Sequence, residues 1–416
     1  MQTYEEKFNR SIQNTFFTKL TQEEQSFLHA KACEYRFSHQ EIKQLVDMAR
    51  DITLWQEGSI CDYFAEHADK RVVLKRLREA YENLRNMPNS YKTFTPKIVA
   101  KEQKYTFKTE PKEGFGLGLC PVASEKTRCC NLLTLDAVES CGFDCSYCSI
   151  QSFYNQNTIT FDSGFKEKLL NLDLDPNKTY HIGTGQSSDS LMWGNREGVL
   201  DALFDFARKY PNVILEFKTK SDNVSYFLQN EVPKNILCTW SLNTPTIIQN
   251  EEHLTASLEK RLRAARKVAD KGVKVGFHFH PIVVYENYLE EYAEVYATLL
   301  EMFDPSEAAL VSLGTLTFIK PVIKQLRSRD FHTKITQMPH ADASGKTSYP
   351  LERKKEMFAH AYESFAPWHA KVFFYLCMEE HSLWRECFGY EYATNNDFER
   401  EMLFSYTQKL GLEFLV

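Results

Sequence analysis

Between residues 131 and 315 the chain alternates short apolar runs with amphipathic stretches, and this texture restricts the fold more than any other feature of its 416 residues. Six runs read as strands: "NLLTLDAV" (131–138), "TYHIGTG" (179–185), "NVILEFKTK" (212–220), "NILCTWSLN" (235–243), "VKVGFHFHPI" (273–282) and "AALVSLGT" (308–315). Between them lie helical patterns such as "REGVLDALFDFARKY" and "LEKRLRAARKVADKG", the second ending in a glycine suited to a helix C-cap. Strands that alternate with helices predict parallel βα units, in a doubly wound sheet or a partial barrel. In both architectures ligands bind at the carboxyl ends of the strands.

The flanks differ. Residues 1–95 carry apolar positions at helical spacing, with no glycine before residue 50 and the first proline at Pro88, and predict a helical N-terminal module. A Lys-, Thr- and Pro-rich connector with a cysteine-containing lead-in follows at 96–130, then the barrel at 131–345, then a C-terminal α/β extension at 346–416. The extension has a helical pattern, a short strand candidate "KVFFYLCM" and a last helix. The expected class is α/β, a partial (β/α)6 barrel with additions at both ends.

The net charge of −6 supplies no global positive field, so contact with nucleic acid would have to be local. No apolar run approaches the ~20 residues of a membrane span, and the N-terminus lacks a basic-then-apolar export signal, so a cytoplasmic location is expected. In that compartment eleven cysteines point to metal ligation, reactivity or packing rather than to a disulfide framework.

Three of them stand together in "ESCGFDCSYCSIQ": Cys141, Cys145 and Cys148, spaced C-x3-C-x2-C directly after the first strand candidate. Structural zinc takes four protein ligands, whereas a 4Fe-4S cluster held by three cysteines leaves one iron open to an exogenous ligand. A zinc-binding module without catalysis, its fourth ligand drawn from Cys129, Cys130 or a distant histidine, is the alternative from a different functional class.

C-x3-C-x2-C with an aromatic residue, Tyr147, before the third cysteine resembles the signature of the radical S-adenosylmethionine (SAM) enzymes. Within that superfamily the chain is similar to the spore photoproduct lyase family, through "CPVASEKTRCC", "CGFDCSYCSIQ", "LEKRLRAARKVADKGVKVGFHFHPI" and "FIKP", over roughly residues 117–378. The resemblance implies a 4Fe-4S cluster on the three cysteines, with SAM chelating the open iron and cleaved to a 5′-deoxyadenosyl radical. It also implies a reductant such as flavodoxin or ferredoxin, and damaged DNA or another nucleic acid as substrate. By the resemblance Lys220 reaches the SAM carboxylate, with Lys218 as runner-up, and Ser241 contacts SAM. Tyr147, Gly185, Gln186, Ser187 and Asn243 join the cofactor-binding candidates. His278, His280 and Cys238 are candidates for a catalytic role that the sequence does not fix. Cys120, Cys129 and Cys130 match the family's "CP…CC" segment, with a second cluster or simple packing as their two readings; Cys33, Cys61, Cys377 and Cys387 read as core.

Two departures stand out. The lyases use a cysteine just after the second strand as hydrogen-atom donor, and Gln186 occupies that place here. Their basic, glycine-containing hairpin is poorly matched by "MPHADASGKTSYPLERKK" (338–355), where Lys346, Arg353, Lys354 and Lys355 mix with histidines and acids. A substrate of another class, a peptide or small metabolite, is therefore the second functional reading.

Overall fold

The parallel strands predicted from the alternating texture form one continuous sheet. The computed structural model describes residues 3–97, 105–113, 117–120, 126–153, 158–343 and 345–415. Parts of the 96–130 connector, at 98–104, 114–116 and 121–125, thus lie outside the described residues. Eight strands make the main sheet: β1 (Leu117–Leu119), β2 (Leu133–Leu135), β3 (Tyr180–Thr184), β4 (Val213–Thr219), β5 (Ile236–Ser241), β6 (Lys274–Ile282), β7 (Ala308–Thr315) and β8 (Phe373–Leu376). Their spatial order is their chain order. From β2 to β8 every neighbouring pair is parallel, and only β1 runs antiparallel, against β2.

All six predicted strands are present, and "KVFFYLCM" adds β8 beside β7 as a seventh parallel strand. Intervening helices cover the outer face, so the strands are buried on both sides and read as apolar runs. On β4 only Lys218 is more than marginally exposed. An antiparallel bridge between Thr127 and Glu380 joins the lead-in of β2 to the segment after β8, so the two edges of the curled sheet meet.

The chain divides into two compact units, the first made of residues 1–102, 284–286 and 318–348, the second of the remainder. The first holds the predicted helices: α1 (Tyr4–Ile12), α2 (Gln22–Tyr35), α3 (His39–Trp55) and α4 (Lys70–Asn86). Each of the first three starts with a capping box, Thr3 with Glu6, Thr21 with Glu24 and Ser38 with Glu41, which satisfies the exposed N–H groups of the first turn. The 318–348 segment belongs to this unit through side chains that local sequence gives no hint of. Arg327 donates to Asp51 at 2.8 and 2.6 Å, Tyr81 donates to the same carboxylate at 2.6 Å, and Trp55 donates to Thr336 at 2.9 Å.

Candidate functional site

The cysteine loop is fixed by a second stretch of the barrel unit. Asp144–Cys145 pairs antiparallel with Glu252–His253, placing Cys145 opposite Glu252. Ser146 donates its backbone N–H to the carbonyl of Glu251 at 2.8 Å and its hydroxyl to the same residue's carboxylate. Tyr147 donates its phenol to Glu252. Glu252 also accepts from Arg261 at 2.5 Å, and Arg261 in turn donates to the carbonyl of Ser241 at 2.8 Å. Glu252 and Arg261 are 2% and 0% exposed, and removing one partner of such a buried pair costs about 3–5 kcal/mol. The loop's conformation is therefore tied to the carboxyl end of β5.

Gly142 is required on the other side of the loop. A Cβ there would sit 2.4 Å from Met192 and 2.7 Å from Trp193. The Met192 sulfur lies 3.8 Å from the Cys141 sulfur and accepts the Gly142 N–H at 3.4 Å. Trp193 is held by Ser188, which accepts its indole N–H at 3.1 Å.

Cys141, Cys145 and Cys148 line a cavity of about 250 Å³ at the carboxyl ends of the parallel strands. Burial pushes the Cys141 thiol up to about 12, with Asp189 and Cys148 adding to the effect. Burial raises Cys145 as well, against the pull of Lys220. Thiols held neutral in this way release protons when a metal takes them. No three of the loop's ligand atoms lie within 4.8 Å of one another; among the described residues only Glu5, His29 and Cys33, in the N-terminal unit, are so contracted. A single tetrahedral zinc with arms of about 2.3 Å would draw its sulfurs to roughly 3.8 Å.

Lys220 faces the same cavity, its ammonium 5.7 Å from the Tyr147 ring centre. Burial opposes its charge, but Glu252 and the Cys145 thiol outweigh that and raise its pKa. Neither Lys220 nor Lys218 has a side-chain hydrogen bond or ion pair among the described residues. Both lysines are half-buried with no counter-ion beside them among the described residues, so the pair marks a place suited to an anionic ligand. Asp189 sets the backbone here, accepting from the Lys220 N–H and the Thr219 hydroxyl, each at 2.7 Å. Gly185, at φ +80°, closes β3 where a Cβ would meet Ser190 at 2.5 Å.

The cavity is also lined by Gly185, Gln186, Ser241, His278 and His280, five further residues singled out in the sequence. The others lie beside it. Ser187 donates to Asp136 at 2.6 Å and to the carbonyl of Val138 at 2.7 Å, pinning the β3 turn. Asn243, fully buried, donates to the carbonyl of Pro281 at 3.1 Å and to Glu252 at 3.4 Å, so it supports the loop through Glu252. Tyr147 acts through Glu252 and Lys220. Cys238 is 0% exposed, three residues before Ser241 and outside the cavity lining.

Glu216, unremarked in the sequence, organises the lumen. Its carboxylate accepts from His181 and His278, each at 2.7 Å, and from Thr239 at 2.6 Å. Burial would raise it, yet His278 and His181 hold it well below the usual carboxylate range. Burial and Lys218 push His278 down to about 4, so at neutral pH it is a neutral donor and Glu216 carries the charge. His280 accepts from or donates to Ser312 at 2.7 Å. A buried carboxylate in an apolar run is visible only as one acid in "VILEF", and its alternation with Lys218 and Lys220 is the signal that could have flagged it.

The match to known proteins follows the same core. The family model described as "Spore photoproduct lyase" matches residues 137–346. The chain belongs to the spore photoproduct lyase family. The spore photoproduct lyase of Clostridium acetobutylicum is 28% identical over 167 residues, 39% of this chain and 49% of that protein. That of a Geobacillus species is 24% identical over 202 residues, 47% of this chain and 59% of that protein. The chain thus spans about half the length of the curated relatives it matches. Among solved structures, a spore photoproduct lyase complexed with dinucleoside spore photoproduct superposes with a TM-score of 0.56 at 20% identity, over 73% of this chain and 94% of that one. A spore photoproduct lyase mutant with bound AdoMet and dinucleoside spore photoproduct gives 0.55, also at 20% identity and the same coverage. The family's fold therefore extends over most of the chain.

The hairpin region shows a further detail. Ala341–Ala343 and Lys346–Ser348 do pair as an antiparallel hairpin, with Gly345 at φ +78° in its turn. The cations that follow are engaged: Arg353 pairs with Glu356 at 2.6 Å, Lys354 with Glu379 at 2.7 Å and Lys355 with Glu386 at 2.9 Å.

Proposed function

We propose that the chain is a radical SAM enzyme, lyase-like in its chemistry, that acts on a lesion or modified base in nucleic acid. The observation that carries this is the convergence of the Cys141, Cys145 and Cys148 side chains and Lys220 on one cavity at the strand ends. When bound at Cys141, Cys145 and Cys148, a 4Fe-4S cluster with SAM on its open iron supplies a 5′-deoxyadenosyl radical after reduction by a flavodoxin- or ferredoxin-type donor.

The chain's own residues set the geometry. Lys220 offers the cation for the SAM carboxylate, in a site dry enough that one charge-assisted bond is worth about 1.5–3 kcal/mol. Gly185 lets a ligand approach the β3 backbone closely, and Ser241 presents its hydroxyl from β5. Tyr147 and Asn243 keep Glu252 and Arg261 in register beneath the cysteine loop. His278 and His280 stay neutral in the lumen, able to hydrogen-bond a substrate or the adenosine without adding charge. Among the described residues no helix is long and apolar enough to cross a membrane, and a reducing cytoplasm suits the thiols.

Two observations favour a second reading, a peptide or small metabolite as substrate. Gln186, exposed in the cavity, has no hydrogen atom to give readily, and the cations at 353–355 are spent on carboxylates. Deuterium transfer into 5′-deoxyadenosine separates the readings. Transfer from thymine-dimer DNA supports the first, and its absence together with transfer from a peptide or metabolite pool establishes the second.

A further inference from the structure

Four more cysteines meet in this cavity, and the site described above uses none of them. Cys120 follows β1, Cys129 and Cys130 precede β2, and Cys377 follows β8, so they come from the two opposite edges of the curled sheet. Their backbones are anchored at that seam. Cys120 donates its N–H to the carbonyl of Leu132 at 2.9 Å, Cys377 to that of Leu313 at 2.8 Å, and Cys129 to the Asn395 side chain at 3.1 Å. The Thr127–Glu380 bridge and the bond from the Arg128 N–H to the carbonyl of Glu379 at 3.3 Å close the same seam.

The four cysteines line one side of the same cavity. Cys130 hydrogen-bonds Cys129, pulling Cys129 down to about 6, and is itself raised by Cys129, by burial, by Cys377 and by Cys120. Burial pushes Cys377 up to about 12, with Lys218 opposing and Cys120 and Cys129 adding. Lys218, unpartnered among the described residues, has its charge disfavoured by burial and supported by Cys377 and Cys120.

We propose that Cys120, Cys129, Cys130 and Cys377 hold a second iron–sulfur cluster, which fastens the two edges of the half-barrel across its seam. Each thiol releases its proton to solvent as its sulfur–iron bond forms, and the two ferric ions, two ferrous ions and four sulfides of the cluster come from cluster assembly, so no further oxidant is needed. With four protein thiolates this cluster is closed, unlike the one on the loop. It is independent of the function proposed above.

The test is iron and acid-labile sulfide per chain after anaerobic reconstitution of the 416-residue chain with equal amounts of ferrous and ferric iron and with sulfide. The expected content is about eight iron in the wild type and about four in C141A/C145A/C148A and in C129S/C377S alike. Iron unchanged in C129S/C377S overturns the proposal, as does complete loss of iron in a folded C141A/C145A/C148A protein or zinc bound at the seam. Four iron retained by C141A/C145A/C148A but lost from C129S/C377S would keep the seam cluster and remove the loop cluster, so the two claims fail separately.

Discussion

The loop cysteines and the seam cysteines line one cavity and differ in nearly everything else. Cys141, Cys145 and Cys148 lie within eight residues, on a loop whose shape is imposed by Glu252, Arg261 and Met192. Cys120, Cys129 and Cys130 stand in the "CPVASEKTRCC" segment, and Cys377 joins them only from the opposite edge of the sheet. Lys220 stands by the first set and Lys218 by the second. On the two proposals, a local set of three would leave a metal position open for chemistry and a long-range set of four would close one.

That contrast can be broken experimentally, most severely at the loop. Cys145→Ala should abolish 5′-deoxyadenosine formation, a fall of at least ~10³-fold in a reductive cleavage assay, whereas Cys377→Ser should leave measurable cleavage. Equal loss in both would show that the two sets are one functional unit.

Next in size is Glu252→Ala, which strands a fully buried Arg261 and frees Tyr147. A destabilisation of about 3–5 kcal/mol is expected in denaturant unfolding. A change below ~1 kcal/mol would show that the loop does not depend on this pair.

The Glu216 layer belongs to neither set and should respond to pH. His278 titrates at about 4 in the folded chain against ~6.5 unfolded, so between those values the unfolded state binds the extra proton. Stability present above pH 6.5 is then lost as pH falls towards 4, by up to about 3 kcal/mol for this group, with Glu216, His181 and Lys218 facing it. His278→Asn should flatten that slope, and an unchanged slope would assign the acid sensitivity elsewhere.

The finest distinction is between the two lysines. Lys220→Met should weaken SAM binding by roughly 10- to 150-fold, the equivalent of about 1.5–3 kcal/mol, while Lys218→Met should cost under ~3-fold. Reversed effects in equilibrium dialysis would exchange their assignments.

The barrel and the loop were legible because their signals are local. Strand runs such as "NVILEFKTK" carry burial in their composition, and three thiols in eight residues can converge without help from the fold. The capping boxes of α1 to α3 likewise sit within four residues of chain. What escaped is what the fold assembles from afar. Met192 reaches Cys141 across 51 positions, Arg327 joins Asp51 across 276, and Cys377 comes to Cys120 only because β8 completes the sheet. Ser187 and Asn243 are polar residues at strand ends, where a ligand contact and a structural hydrogen bond look alike in sequence; the fold supplies them with Asp136, Pro281 and Glu252 as partners.

The central claim is that the loop thiols carry a cluster that opens SAM. Anaerobically reconstituted, dithionite-reduced protein incubated with SAM tests it directly by the amount of 5′-deoxyadenosine formed. Wild-type protein is predicted to form it and Cys145→Ala to form none. A wild-type protein fully loaded with iron and sulfide that leaves SAM intact would contradict the account.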